Sequence, residues 1–272
     1  MKSIKPVIKW AGGKRLLIPT LEKYLPSLDG AYYEPFLGGG ALFFYLAHRI
    51  KEAYLSDLNS DLVELYKVIQ SRPLELNELL RAIEFEYSKA DKYEYYLSKR
   101  KAYNADAKGI ERTAIFVFLN KACFNGMYRV NRRGEFNTSF GKAETLAFPS
   151  KKTLLETSEV LQKAVIQQQD FSEVIVKPGS FIYFDPPYRP ISRTARFNQY
   201  CSNGFTDKDQ KRLAEYFQSL SEENHLMLSN SDTGDGFFEN LYSGNTILYL
   251  EAIRSLNPKG NRKAGEILVL NY

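Results

Sequence analysis

The stretch FIYFDPPYRP, Phe181 to Pro190, places the tightest limit on how this chain can fold. Four largely apolar residues run into an acid, two prolines and an aromatic, the pattern of a buried strand that delivers polar groups to its carboxyl end. In open α/β sheets that edge is where ligands bind. Pro186 and Pro187 lack a backbone N–H and each fixes its own φ, so the chain leaves the sheet in one stiff conformation, with carbonyls free to accept from a ligand. Asp185 adds an anionic acceptor and Tyr188 a flat face. Together they suit a planar group bearing an amino substituent, such as a nucleobase.

The amino-terminal half repeats the alternation of strand, glycine loop and helix. VIKWAGGK reads as a short strand that breaks into a Gly-rich loop and a helix from about Leu16 to Leu25. Trp10, the only tryptophan, stands between Lys9 and Lys14, where its ring either covers a flat ligand or caps the core. AYYEPFLGGGALFFYLA then gives a strand, a glycine cluster and an apolar helix. Gly38, Gly39 and Gly40 let backbone approach a ligand at a helix amino terminus. The next strand, YLSD, ends in Asp57, about 20 residues beyond Phe36, the spacing at which Rossmann-like folds grip ribose hydroxyls. This fits adenosine. Pyrophosphate fits less well, because Phe43 stands where a dinucleotide-binding loop has its third glycine.

Asn59 is expected to cap a helix over Ser60 to Ile69, and Pro73 to open another reaching Glu86. From there to Phe124 the period is helical throughout, which marks an all-helical insertion. Within it, KYEYYLSKRKAY reads as a solvated amphipathic helix, and the helix Glu111 to Ala122 as the insertion's core. FNGMYRVNRRGEFNTSFGK follows, alternating on both sides of Arg132-Arg133-Gly134 as a β-hairpin does. It carries Arg129, Arg132, Arg133 and Lys142 against the single acid Glu135. A two-stranded ribbon can enter the DNA major groove, where such cations neutralise phosphates or read guanine; an ordinary solvated hairpin is the plain alternative.

Beyond Pro149 a helix, Lys151 to Lys163, leads into the strand pattern AVIQQQDF and then to the opening strand. Arg189 to Phe205, with Arg193 and Arg196, has no period and reads as a loop near the site. Thr206 with Asp209 starts a capped helix to Leu220, and HLMLSNS, NTILYLEAI and EILVLNY read as three further strands.

Composition narrows the class. With 272 residues, 44% hydrophobic and 25% charged, the chain can bury a substantial core. The longest apolar run, ALFFYLA, is far short of a membrane span, and MKSIKPVIKWAGGK lacks a signal-peptide core, so a cytoplasmic protein without membrane contact is expected. Cys123, Cys201, His48 and His225 are too few for a disulfide framework or a convincing transition-metal site. The net charge of +5 leans mildly toward polyanionic partners.

In order and spacing, KWAGGK, EPFLGGG, SDLNSDL, FNGMYRVNRRGEFN and DPPY resemble the adenine-specific DNA methyltransferases of the Dam type, in the alpha arrangement with the glycine motif before the recognition domain and DPPY after it. Thr194, Phe197 and Tyr200 match a further pattern behind DPPY. The resemblance covers nearly the whole chain. It implies an α/β fold: a Rossmann-like class I methyltransferase sheet of seven strands, formed by residues 1–59 and 149–272, with an inserted helical target-recognition domain, 60–148, that carries the hairpin. It implies S-adenosylmethionine as cofactor, double-stranded DNA as partner, no metal, and a monomer in the cytoplasm of a prokaryote or phage.

By motif position, Trp10, Lys14, Phe36, Gly38, Gly40 and Asp57 would hold the cofactor, Asp170 and Phe171 would border its adenine, and Asp185 would stand between cofactor and target base. Asp185, Pro186, Pro187 and Tyr188 would be catalytic. Lys9 and Arg129 would contact guanines, Asn125 would sit at the flip site with Phe124 inserting nearby, and Met127 would give apolar contact. Arg132, Arg133, Ser139 and Lys142 complete the DNA-facing set. GATC is the expected target, although Ser139 stands where many GATC enzymes have proline, and Ala143 where an aromatic often supports the lysine contact. Cytosine or RNA as acceptor, an inactive nucleic-acid-binding relative, and a nucleotide-dependent oxidoreductase are the competing readings.

Overall fold

The computed structural model describes residues 4–105, 107–189, 204–253 and 263–272. Seven strands, β1 (Tyr32–Glu34), β2 (Ala53–Asp57), β3 (Ala164–Gln168), β4 (Phe181–Phe184), β5 (His225–Ser231), β6 (Thr246–Ile253) and β7 (Lys263–Leu270), form one sheet in the order β3-β2-β1-β4-β5-β7-β6. The first five are parallel, and β7 runs antiparallel between β5 and β6. Every residue of β1 and β4 is buried, which is why neither strand alternates apolar with polar, the one carboxyl between them being Glu34 at the end of β1. They are neighbours, with Tyr32 opposite Phe181 and Tyr33 opposite Ile182. The strand order reverses between them, so the glycine loop and the DPPY turn leave the sheet side by side at its switch point.

The helices are α1 (Ile18–Leu21), α2 (Ala41–Leu46), α3 (Ser60–Ser71), α4 (Pro73–Lys89), α5 (Lys92–Ala105), α6 (Gly109–Ala122), α7 (Lys151–Leu161), α8 (Asp207–Leu220) and α9 (Phe237–Leu241). Their starts follow the expected capping chemistry. Asn59 accepts from the backbone N–H groups of Asp61 and Leu62, Pro73 opens α4, and Thr206 and Asp209 form a reciprocal capping box. Helix α3 lies on β2 and β3, and one buried cluster runs from the sheet through Tyr66, Leu76 and Leu80 to Phe116 and Phe118 of α6. The helical insertion therefore shares the core of the sheet layer. Among the described residues no helix is long and apolar enough to cross a membrane.

Three local expectations change. Residues 7–10 form no strand. Val7 and Ile8 are buried, but the N–H and C=O of Lys9 pair with the Asn120 side chain, at 2.9 and 2.7 Å, instead of with a neighbouring strand. The single helix over 16–25 is instead a short turn at Lys14–Leu16, then α1, then another turn at Glu22–Tyr24.

The hairpin is looser than a β-ribbon, and α5, amphipathic as expected, buries only Tyr96 and Tyr103, against Phe140 and Phe136 of the turn. The hairpin's limbs share no continuous ladder among the described residues: two isolated bridges, Val130 with Phe136 and Cys123 with Phe140, join them together with bonds such as Arg129 to Asn137. The returning limb is held from behind by α5: Asn104 takes both the N–H (2.8 Å) and the C=O (2.9 Å) of Phe136, and the Tyr96 hydroxyl donates to the Thr138 carbonyl at 2.8 Å. Tyr96 and Tyr103 are buried for this purpose. Helix α5 is a scaffold for the turn. Residues 190–203, with Arg193, Thr194, Arg196, Phe197, Tyr200 and Cys201, lie outside the described residues, as does the 254–262 stretch.

Candidate active site

The carboxyl end of β4 delivers Asp185 into a cluster of buried ionic groups. Its Oδ1 lies 2.9 Å from the Lys14 ammonium and accepts from the Ser229 hydroxyl at 3.2 Å. Among the described residues no donor reaches Oδ2, and the side chain keeps 20% of its surface exposed. Lys14 itself is only 3% exposed; it also meets Glu266 Oε1 at 3.3 Å and donates to the Tyr188 hydroxyl. Burial pushes the Asp185 carboxyl upward, and Lys14 and then Ser229 pull it back toward the ionised form.

The two prolines differ. The Pro187 carbonyl accepts from Gln210 Nε2 at 3.2 Å, whereas among the described residues nothing donates to the carbonyl of Pro186, the prolyl ring of which is buried. Only one of the two carbonyls thus remains for a ligand. Arg189 then latches the turn. Its guanidinium donates twice to Asp207, at 2.8 and 3.1 Å, pairs with Asp235 and lies 4.0 Å from the Phe237 ring centroid.

Beside this edge stands the glycine loop. Gly38 (φ +49°) and Gly40 (φ +63°) take left-handed conformations, and a Cβ on Gly38 would sit 3.0 Å from the Trp10 ring. A side chain there is excluded both by backbone and by the tryptophan. Asp57 accepts from the N–H groups of Gly38 and Asn59, each at 2.9 Å, which oppose the upward push of its burial. Phe36 stacks on Phe171 at 5.3 Å with Phe205 edge-on at 5.6 Å, so the loop is floored by aromatics. Asp170 caps the turn that begins at Phe171 and pairs with Arg212 at 3.0 Å; partial burial pushes its carboxyl up, but the hydrogen bonds from Ser172 and then from Arg212 hold it below the usual carboxylate range. Among the described residues no cluster of His, Cys, Asp and Glu is arranged to hold a metal ion.

The expected cofactor residues and DPPY therefore converge on one edge. Glu34 lies beneath them, fully buried, accepting from the Tyr32 hydroxyl (2.8 Å) and the Phe43 N–H (3.2 Å), its carboxyl raised by burial to about 8. Sequence reasoning missed Glu34, Ser229 and Glu266. Each is a buried polar residue on a strand, and the only available signal was a polar residue at a position where burial demands an apolar one.

The expected DNA-facing residues form a second surface. Lys9, Phe124, Asn125, Arg132, Arg133, Ser139 and Lys142 are exposed, Phe124 by 55%, and Asn125 adopts φ +54°. Met127 is half-buried. Arg129 donates through Nε to Asn137 Oδ1 at 2.7 Å and through a terminal nitrogen to the Asn137 carbonyl at 2.8 Å, so its guanidinium plane is held across the turn. Asn120 donates to both the Lys9 and Gly126 carbonyls, and a Cβ on Gly126 would lie 2.7 Å from that of Lys9. Lys9 is thereby clamped to the turn. Its neighbour Lys121 is lowered to about 8, by burial first and by Lys9 second. Tyr128 joins the two surfaces: its ring lies 5.6 Å from Trp10, and its hydroxyl donates to Asp61 at 3.0 Å.

Relatives align along nearly the full chain. A type II methyltransferase of Methanocaldococcus jannaschii, M.MjaIII, is 40% identical over 99% of both chains. A second type II methyltransferase, M1.LlaDCHI of Lactococcus lactis, is 36% identical over 99% of this chain and 96% of its own, and the DNA adenine methylase of Escherichia coli K12 is 32% identical over the same shares. The family model that spans residues 10–256 describes D12 class N6 adenine-specific DNA methyltransferases. With the methyltransferase strand order, the DPPY edge and this full-length similarity in place, the chain belongs to the D12 class of N6 adenine-specific DNA methyltransferases.

Proposed function

We propose that the protein methylates the exocyclic amine of an adenine flipped out of duplex DNA, within GATC, with S-adenosylmethionine as donor. The observation that carries this reading is the asymmetric anchoring of Asp185. Oδ1 is fixed by Lys14 and Ser229, and among the described residues nothing donates to Oδ2 or to the carbonyl of the following Pro186, which leaves two acceptors for the amine. An aromatic amine is a poor nucleophile because its lone pair is delocalised into the ring. Two acceptors, each taking one N–H, favour a pyramidal nitrogen whose lone pair points out of the ring plane, and they hold it in line for attack.

The donor, when bound, supplies a methyl group on a positively charged sulfur. The residues present suit it. The Trp10–Gly38 approach leaves room only for backbone, Asp57 ends β2 as a ribose-binding acid does, and the half-buried Phe36, backed by the buried Phe171, offers an apolar face for an adenine. Tyr188 offers a ring on which the extruded base can stack, which offsets part of an unstacking cost of roughly a few kcal/mol.

Residues 60–148 supply target recognition in this reading, with α3 also covering the sheet. Lys9 and Arg129 read guanine, Asn125 and Phe124 occupy the gap left by the base, Met127 gives apolar contact, and Arg132, Arg133, Ser139 and Lys142 contact the backbone. The test is digestion of DNA treated with the protein and S-adenosylmethionine by nucleases sensitive to methylation. Protection of GATC is expected, and unprotected GATC alongside incorporated methyl groups would replace the target sequence.

A further inference from the structure

The Lys14 ammonium meets three acceptors from two parts of the chain: Asp185 Oδ1 at 2.9 Å and the Tyr188 hydroxyl from DPPY, and Glu266 Oε1 at 3.3 Å. Of these, Glu266 has no place in the motif-based reading of the site. It projects from β7, opposite Ser231 of β5 and Leu250 of β6, and is 5% exposed. Its second oxygen, Oε2, is buried without a hydrogen-bond partner among the described residues. A buried carboxylate with an orphaned oxygen costs stability, so a core that needed only packing at this position would be better served by an apolar side chain.

We propose that Glu266 is a positioning residue for methyl transfer: it holds the Lys14 ammonium on the Oδ1 side of Asp185, so that Oδ2 stays available to the target amine. The geometry requires an anchor of this kind. An ammonium is a rotatable point charge that can swing across both oxygens of Asp185 and compete with the adenine N–H unless its other contacts, Tyr188 and Glu266 among them, hold it to one side. Glu266, reaching in from β7, fixes the far side of Lys14 and removes that freedom. Strand β7 is in turn set by Gly265, whose carbonyl accepts from the Asp232 N–H at 3.0 Å and whose Cα packs so near Asp232 that a Cβ would lie 2.8 Å from that side chain. This assignment rests on the reading of Asp185 as the acceptor of the amine.

The experiment is steady-state methyl incorporation into duplex DNA by the full chain, alongside DNA binding, for Glu266→Ala, Glu266→Gln, Lys14→Gln and the double variant Lys14→Gln/Glu266→Ala. Glu266→Ala is expected to lower kcat about tenfold or more while Kd for DNA stays within about twofold. Glu266→Gln keeps an oxygen for Lys14 and is expected to recover most of that loss. The double variant is expected to be no slower than Lys14→Gln alone, because both changes remove one interaction.

Wild-type turnover in Glu266→Ala, or additive losses in the double variant, would overturn the proposal. If Glu266→Ala does not fold, the same cycle is run with Glu266→Leu and Lys14→Gln/Glu266→Leu, which fill the site with apolar volume but remove the acceptor, and additivity again counts against it. Asp185→Ala is measured in parallel: its retaining turnover would sink the reading of the acceptor itself, whereas its loss beside a silent Glu266→Ala sinks only the role of Glu266.

Discussion

The DPPY edge and the Arg129–Asn137 turn are held by opposite means. At the edge, charged side chains are themselves buried and locked by core strands: Asp185 from β4, Ser229 from β5, Glu266 from β7, with Lys14 between them. At the turn, backbone is locked and, apart from Arg129, which is bonded to Asn137, the cationic side chains are left out. Asn104, Tyr96 and Arg100 of α5 satisfy the carbonyls of Phe136 and Thr138 from behind, while Arg132 and Arg133 project to solvent. The first arrangement tolerates little change, because every substitution strands a buried charge. The second accepts new side chains at little cost to its fold. Such a division suits an enzyme whose chemistry is constant and whose target sequence varies.

The largest break expected in this comparison is Asp185→Ala, which removes the proposed acceptor of the target amine. Turnover should fall roughly 10²–10³-fold or more, with DNA affinity retained, as read by methyl incorporation and gel-shift titration. Next is Asn104→Ala, which leaves the N–H and C=O of Phe136 without their partner. A cost of about 1–3 kcal/mol, local to the turn, is expected, seen as faster amide exchange over residues 129–138 and a raised KM for DNA with little change in kcat. Arg132→Ala or Arg133→Ala should be milder still, weakening DNA binding and lowering the slope of log K against log salt by about 1 each, without altering turnover at saturation.

The smallest effect separates the regions by pH. Glu34, beneath the edge, holds a proton in the folded chain up to about 8, whereas unfolded chain releases it near 4.5. Since the folded state binds the extra proton between those values, this group's contribution is present below the lower one and is lost as pH rises through about 8. Glu266, raised to about 7, adds to the same slope over a narrower window. Glu34→Gln keeps the acceptor for Tyr32 and Phe43 and should raise Tm by roughly 2–4 °C at about pH 9, with little effect at about pH 5. An unchanged pH dependence would show that the buried carboxyls of the edge are not its source.

Much of this was legible in the sequence where the signal is local. The strand ending in Asp185, the glycines with positive φ, the Asn59 cap and the Thr206–Asp209 box each announce themselves within a few residues. What stayed hidden depends on partners far along the chain. Asn120 replaces a strand for Lys9 across 111 positions, Asn104 replaces a ladder for Phe136 across 32, and Glu266 meets Lys14 across 252. No periodicity encodes such pairs. The full-length membership of an adenine-specific family removes the cytosine, RNA and oxidoreductase alternatives that the residues alone had left open.

The division between a fixed chemical edge and an adjustable reading turn is tested most directly by mapping methylated bases in DNA treated with Arg129→Ala beside the wild type. The account predicts N6-methyladenine from both, confined to GATC for the wild type and spread to sites altered at a flanking guanine for the variant. An Arg129→Ala enzyme that keeps the wild-type sequence preference, or that methylates a different base, would contradict it.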